Sequence, residues 1–284
     1  MHQSVVTPSP SVRSPEEKYL ELLKRCITRS FDNSYGEIHP FIGSKKRLPF
    51  AVTRSLLGRF GLTLAKLHDQ SPAIGPTVST MGETMVGLPR LQNVQDCAMD
   101  VITARVPGDF IEAGVWRGGV TILMKGILDV YGEKDRTVWV ADSFEGLPKP
   151  DKDRYPADAN DTFWMQDWMS VTQEDVTRYF AQYGLLDERV QFLKGWFKDT
   201  LPAAPIACLA LLRIDGDMYE STMDVLRALY PKLSPGGYAI VDDYGSVAGC
   251  KAAVDDYRRE HGITAEMTFV RDSQMGCVYW KKAS

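Results

Sequence analysis

Short apolar runs alternate, from about residue 109 onward, with segments whose apolar positions return every three or four residues. That alternation predicts strands interleaved with amphipathic helices, and hence a doubly wound α/β sheet. Strands are expected from Asp109 into a glycine-bearing loop at 114–119, then over 138–141, 190–193, 209–214 and 238–241. Helices are expected over 120–130, stopped by Gly132, between a Thr172 cap and Gly184, over 221–230 and over 247–260. Two closing runs, 264–270 and 277–280, flank a short polar turn and read as an antiparallel hairpin.

The chain ahead of the sheet has helical periodicity. Ser14-Pro15-Glu16-Glu17 reads as a capping box that opens a helix running to about residue 30, with Tyr19, Leu22, Leu23, Cys26 and Ile27 on its buried stripe. A polar, turn-rich stretch follows over 31–50, a helical one over 51–68, and a Gly/Pro/Ser/Thr segment up to a helix at 88–106 that buries Leu91, Val94, Ala98, Val101 and Ile102. The expected organisation is a disordered tail over 1–13, a helical segment over 14–87 serving as lid and oligomerisation element, and a sheet domain over 88–284.

Composition narrows the function. A chain with 44% hydrophobic and 25% charged residues can bury a large core. Its net charge of -4, without a Lys/Arg stripe, argues against a nucleic-acid partner and favours a small-molecule substrate. Cys26, Cys97, Cys208, Cys250 and Cys277 form no CxxC pair, as expected of reduced thiols. The longest purely apolar run, 206–212, is too short to span a bilayer, and no signal-peptide core precedes the first helix, so a soluble cytoplasmic protein is expected.

The chemistry gathers at strand ends. The runs ending at Asp215 and at Asp242-Asp243 would, as neighbouring parallel strands about 4.8 Å apart, bring three carboxylates onto one ion. Without His or Cys nearby, that set suits Mg²⁺. The alternative is that these aspartates are turn formers and caps. The loop Glu112-x-Gly114-x-x-x-Gly118-Gly119 departs from the dinucleotide fingerprint and carries an acid where a pyrophosphate would be repelled. An acid there suits the ammonium group of S-adenosylmethionine, and Asp142, closing the second strand, suits ribose hydroxyls; the alternatives are a surface acid and a turn. Gly195-Trp196-Phe197 offers a glycine and two aromatics for an adenine, with Trp196 as core residue the alternative.

Strands alternating with helices and ending in a hairpin are the organisation of class I methyltransferases, Rossmann-like in their sheet. The runs Phe-Ile-Glu-Ala-Gly-Val-Trp-Arg-Gly-Gly, Ala-Asp-Ser-Phe-Glu-Gly-Leu-Pro, Leu-Arg-Ile-Asp-Gly-Asp-Met-Tyr-Glu-Ser-Thr and Val-Asp-Asp-Tyr-Gly, with Arg90-Leu91-x-Asn93, resemble the macrocin O-methyltransferase family, which methylates sugar hydroxyls of macrolide and aminocoumarin antibiotics. The resemblance runs from about Thr84 to the C-terminus. It implies S-adenosylmethionine and Mg²⁺, a metal triad at Asp215, Asp242 and Asp243, and cofactor contacts at Glu112, Gly114, Asp142, Ser143 and 195–197. It also implies that Thr84 and Met85 approach the methionine end of the cofactor, and makes Asp215 the first choice of base, with Asp161 and His39 in reserve. A homo-oligomer acting on a small-molecule glycoside is expected.

The long connection over 149–171, carrying Phe163, Trp164, Met165 and Trp168, is expected either to cover the acceptor as a lid, with residues 32–39 closing the other side, or to form a plain amphipathic helix on the core. Two rival functions stand beside the methyltransferase. Asp215-Gly216-Asp217 is a DxD of the kind glycosyltransferases use, and a non-catalytic metal- and nucleoside-binding scaffold would carry the same acids.

Overall fold

The computed structural model describes residues 13–30, 36–37, 65–66, 82–272 and 275–283. Helix α1 (Pro15–Thr28) starts at Ser14, whose side chain accepts from the Glu17 amide while the Glu17 carboxylate accepts from the Ser14 amide, the expected capping box. Its buried stripe is Leu20, Leu23, Lys24 and Ile27, one position round from expectation, and Tyr19 and Leu22 are exposed. Counting apolar residues misplaced the stripe because Lys24 belongs to it. The Lys24 stem is covered while its ammonium reaches Glu21 and Gln92. Two short strands, β1 (Gly36–Glu37) and β2 (Ala65–Lys66), pair antiparallel. The helix expected over 51–68 therefore gives way to a strand at its end; the rest of that stretch, the tail over 1–12 and His39 lie outside the described residues.

Helix α2 (Leu88–Thr103) leads into the sheet. Then come β3 (Asp109–Ala113), α3 (Gly119–Val130), β4 (Val138–Asp142), α4 (Gln173–Gln182), β5 (Val190–Lys194), the short α5 (Phe197–Thr200), β6 (Leu209–Ile214), α6 (Tyr219–Leu229), β7 (Leu233–Val241), α7 (Ala248–Glu260), β8 (Thr268–Asp272) and β9 (Met275–Lys281). The sheet order is β5-β4-β3-β6-β7-β9-β8. Strands β3 to β7 run parallel; β9 enters antiparallel between β7 and β8. The hairpin is as expected, but β8 starts four residues late because 264–267 stays irregular, with Ala265 and Met267 packed against the α7 side of the core.

Two layers of helix cover the sheet, with one apolar cluster on each face. Helix α3 is buried along its whole length from Gly119 to Leu128, as fits a helix packed on the sheet and covered by α1 and α2. A side chain at Gly126 would strike Leu23, so the glycine lets α1 seat directly on α3. Each fully buried Leu, Ile or Phe of these clusters contributes roughly 1.5–3 kcal/mol. Leu20, Leu23 and Ile27 thus tie α1 into the main core. Among the described residues no helix is long and apolar enough to cross a membrane.

Candidate active site

The chain winds from β3 to β4 and β5 on one side, then returns to β6 on the other. The carboxyl ends of β3 and β6 therefore form the switch point where open α/β sheets leave a crevice. Here the two chains nearly touch: the Asp215 amide donates to the Ala113 carbonyl at 2.8 Å. Gly114, at φ +90°, has no room for a side chain, since a β-carbon would fall 1.8 Å from the Asp215 carbonyl oxygen. A cavity of about 580 Å³ opens above this point. Its walls include two non-glycine residues in the left-handed region, Trp116 (φ 48°) and Asp217 (φ 56°), and backbone strain of that kind concentrates at functional sites.

Glu112 and Arg213 are side-by-side partners in the parallel β3–β6 pair. Both are buried, and the Arg213 guanidinium pairs with Glu112 Oε1, with Asp215 Oδ2 at 2.7 Å, and with Asp242 Oδ1 at 2.5 Å, the last off the hydrogen-bond axis. Glu112 Oε2 is buried without a hydrogen-bond partner. Burial pushes the Glu112 carboxyl up to about 8 even though Arg213 pulls it down. The other Asp242 oxygen pairs with Arg90, which also holds Asp272 of β8 at 3.2 Å.

The β6–β7 register sets Ile214 opposite Val241, so the next residues, Asp215 and Asp242-Asp243, leave the sheet together. Asp215, Asp242 and Asp243 each present an oxygen within 4.8 Å of the others. Burial, then the neighbouring carboxylates, raise Asp243 well above the carboxylate range, raise Asp215, and push Asp217 up to about 8. Five carboxylates (Glu112, Asp215, Asp217, Asp242 and Asp243) thus meet two guanidiniums, Arg90 and Arg213. Arg90 is shared with Asp272 as well, so acid is in excess over positive charge here. An all-carboxylate donor set, short of positive charge and next to an orphaned Glu112 oxygen, fits a divalent cation and an ammonium group.

All nine residues expected to touch a cofactor line this cavity. Asp142 also shapes the glycine loop, because its carboxylate accepts from the amides of Val115 (2.8 Å), Trp116 (3.3 Å) and Phe144 (2.8 Å). Thr84 and Met85 are held by their neighbour Glu83, whose carboxylate accepts from Tyr183 at 2.6 Å and pairs with Arg29 at 3.2 Å, while its carbonyl accepts from the Gly119 amide at 2.9 Å. Asp161 is absent from the cavity wall; its Oδ1 accepts from the Phe163 amide at 2.9 Å, and its charge bears on Asp217. Sequence reasoning quoted Arg90 and Arg213 only within the family's runs, with no role for either, and did not single out Glu83. A lone arginine inside an apolar strand was the available signal for Arg213, because a charge there needs buried partners.

The connection over 149–171 holds three single 3-10 turns and no α-helix, so the amphipathic-helix alternative fails. Its first part is anchored by buried Asp158, which accepts from the amides of Tyr219 (2.7 Å) and Glu220 (3.1 Å) at the start of α6. Further on, Phe163, Trp164, Met165 and Trp168 are exposed, and Phe163 and Trp168 face the cavity. Trp116 donates from Nε1 to the Trp168 carbonyl at 3.1 Å and meets its ring edge-on.

The sheet order, the inserted antiparallel strand and the acids closing β3, β4, β6 and β7 define a class I methyltransferase. Among solved structures it is similar to the O-methyltransferase NovP, with TM-score 0.77 and 41% identity over 95% of this chain and 100% of that one. The chain belongs to the macrocin-O-methyltransferase (TylF) family, whose model matches residues 16–282, and is an O-methyltransferase. It is similar to demethyldecarbamoylnovobiocin O-methyltransferase of Streptomyces niveus, 53% identical over 201 residues that cover 70% of this chain and 75% of that one. Mycinamicin III 3''-O-methyltransferase of Micromonospora griseorubida is 46% identical over 271 residues, 94% of this chain and 97% of that one. The glycosyltransferase and scaffold readings give way to this membership.

Proposed function

We propose that the enzyme transfers a methyl group from S-adenosylmethionine to a sugar hydroxyl of a glycosylated natural product, in antibiotic biosynthesis, with Mg²⁺ as resident cation. Family membership implies the donor, and the similar enzymes are named for a novobiocin derivative and mycinamicin III. The observation that carries the cation is the charge-deficient trio Asp215, Asp242 and Asp243 beside the unpaired Glu112 oxygen.

Glu112 would hold the donor's ammonium, Asp142 and Ser143 its ribose, and Trp196 and Phe197 its adenine. When bound, S-adenosylmethionine supplies an electrophilic methyl group, and Mg²⁺ on Asp215, Asp242 and Asp243 supplies Lewis-acid polarisation of the acceptor hydroxyl. Asp217 is a better proton acceptor than Asp215. Arg213 already engages Asp215, whereas among the described residues nothing donates to the Asp217 carboxylate. Asp161 then acts only through Asp217. Phe163 and Trp168 cover the acceptor and exclude water. Exposed Tyr19 and Leu22 on α1 support self-association through the N-terminal segment.

Incubation with S-adenosylmethionine, Mg²⁺ and a panel of glycosylated antibiotics tests the reading. A gain of one methyl mass that EDTA abolishes supports it; a gain that survives exhaustive chelation removes the cation from the mechanism.

A further inference from the structure

Arg213 is fully buried as the penultimate residue of the otherwise apolar strand β6. Burying a guanidinium costs several kcal/mol, and well-packed apolar residues in place of buried ion pairs are often as stable or more so. What Arg213 does instead is touch two groups of acids at once. Its Nη1 is shared between Glu112 Oε1 and Asp215 Oδ2 (2.7 Å), and its Nη2 stands 2.5 Å from Asp242 Oδ1. Glu112 is the ammonium-binding acid of the function proposed above, and Asp215 and Asp242 are two of its three cation ligands. Nη1 donates to both Glu112 and Asp215, whereas Nε and Nη2 have no aligned acceptor, so the guanidinium still has donors to redistribute among the three acids.

We propose that Arg213 is a positioning residue shared by the donor and cation sites, and that through it the two ligands weaken each other's binding. A cation on Asp215 and Asp242 would compete with the guanidinium for the same two carboxylates. The guanidinium then rests more fully on Glu112, which holds the incoming ammonium less tightly. Direct repulsion between the two positive ligands has the same sign. By linkage the donor must weaken the cation by the same factor.

The inference rests on the assignment of both ligands to this cavity, and its test separates the two. Isothermal titration of the wild-type protein with S-adenosylhomocysteine, with and without saturating MgCl₂, should show the dissociation constant rising about three- to tenfold with Mg²⁺. Titration of Mg²⁺ with and without S-adenosylhomocysteine should give the same factor. In Arg213→Lys, which keeps the charge but cannot span three carboxylates, the factor should fall below about twofold. Glu112→Gln, which removes the ammonium-side partner, should do the same and serves if the lysine variant does not fold. Two ligands that bind the wild type independently, or cooperatively, overturn the inference alone, as does a folded Arg213→Lys that keeps the full factor. A wild type that binds no Mg²⁺ overturns the cation site and the inference with it.

Discussion

Two ionic clusters sit at opposite ends of the parallel strands and behave differently. Ahead of β5, Lys125 and Arg189 meet Asp129 and Asp187, two cations against two anions, with contacts of 2.5–3.0 Å. Burial raises the proton affinity of Asp187, but hydrogen bonds from Arg189 and Lys125 outweigh it and hold the carboxyl below its usual range. At the other end, five carboxylates share two guanidiniums, and burial and mutual repulsion push Glu112, Asp215, Asp217 and Asp243 upward. A cluster that closes on itself is structural. One that leaves buried acids unbalanced would favour ligands that bring positive charge.

That contrast can be broken most severely at the cation set. Asp243→Asn should lower kcat at least about 100-fold, since even an outer-shell partner of a metal ligand is worth 10–100-fold, while S-adenosylhomocysteine still binds by calorimetry. Near-normal turnover would remove Asp243 from the site. Next, Glu112→Gln should weaken S-adenosylhomocysteine about 10- to 100-fold, the worth of a charged hydrogen bond. A smaller change would mean that the ammonium lies elsewhere. In the balanced cluster, Lys125→Met should do the opposite: a melting temperature lowered by a few degrees, from about 1–2 kcal/mol lost where solvent relieves the partly exposed aspartates, with kcat unchanged. Smallest, Trp168→Ala should raise the acceptor KM several-fold and leave donor affinity alone, as expected of a cover that touches only the acceptor.

The acid trio was legible in the sequence because it depends on local signals: an apolar run that stops at an aspartate, twice, in strands that topology makes neighbours. Strand β6 came out residue for residue for the same reason. The arginines stood in the sequence, but their partners did not, because these are set by strand register and by packing between distant parts of the chain, as between Arg90 and Asp242. The stripe of α1 went one residue astray because a covered lysine stem counts as polar in the sequence and as apolar in the packing. The 149–171 connection carried enough aromatics for a helix stripe, yet lacked the cap and periodic run that would have turned them inward.

The central claim, that the excess acid of the cavity is completed by a divalent cation, is tested most directly by following stability against pH with and without Mg²⁺. Burial pushes Glu112 and Asp217 up to about 8 in the fold from near 4 in the unfolded chain, so the folded apo protein should bind their protons more tightly. Their contribution is therefore complete below about pH 4 and is lost as pH rises towards 8. The melting temperature of the EDTA-treated protein should fall between pH 5 and 8, and Mg²⁺ should restore most of the loss at pH 8 but little at pH 5. A flat profile, or a Mg²⁺ effect that is equal at both ends, would contradict the account.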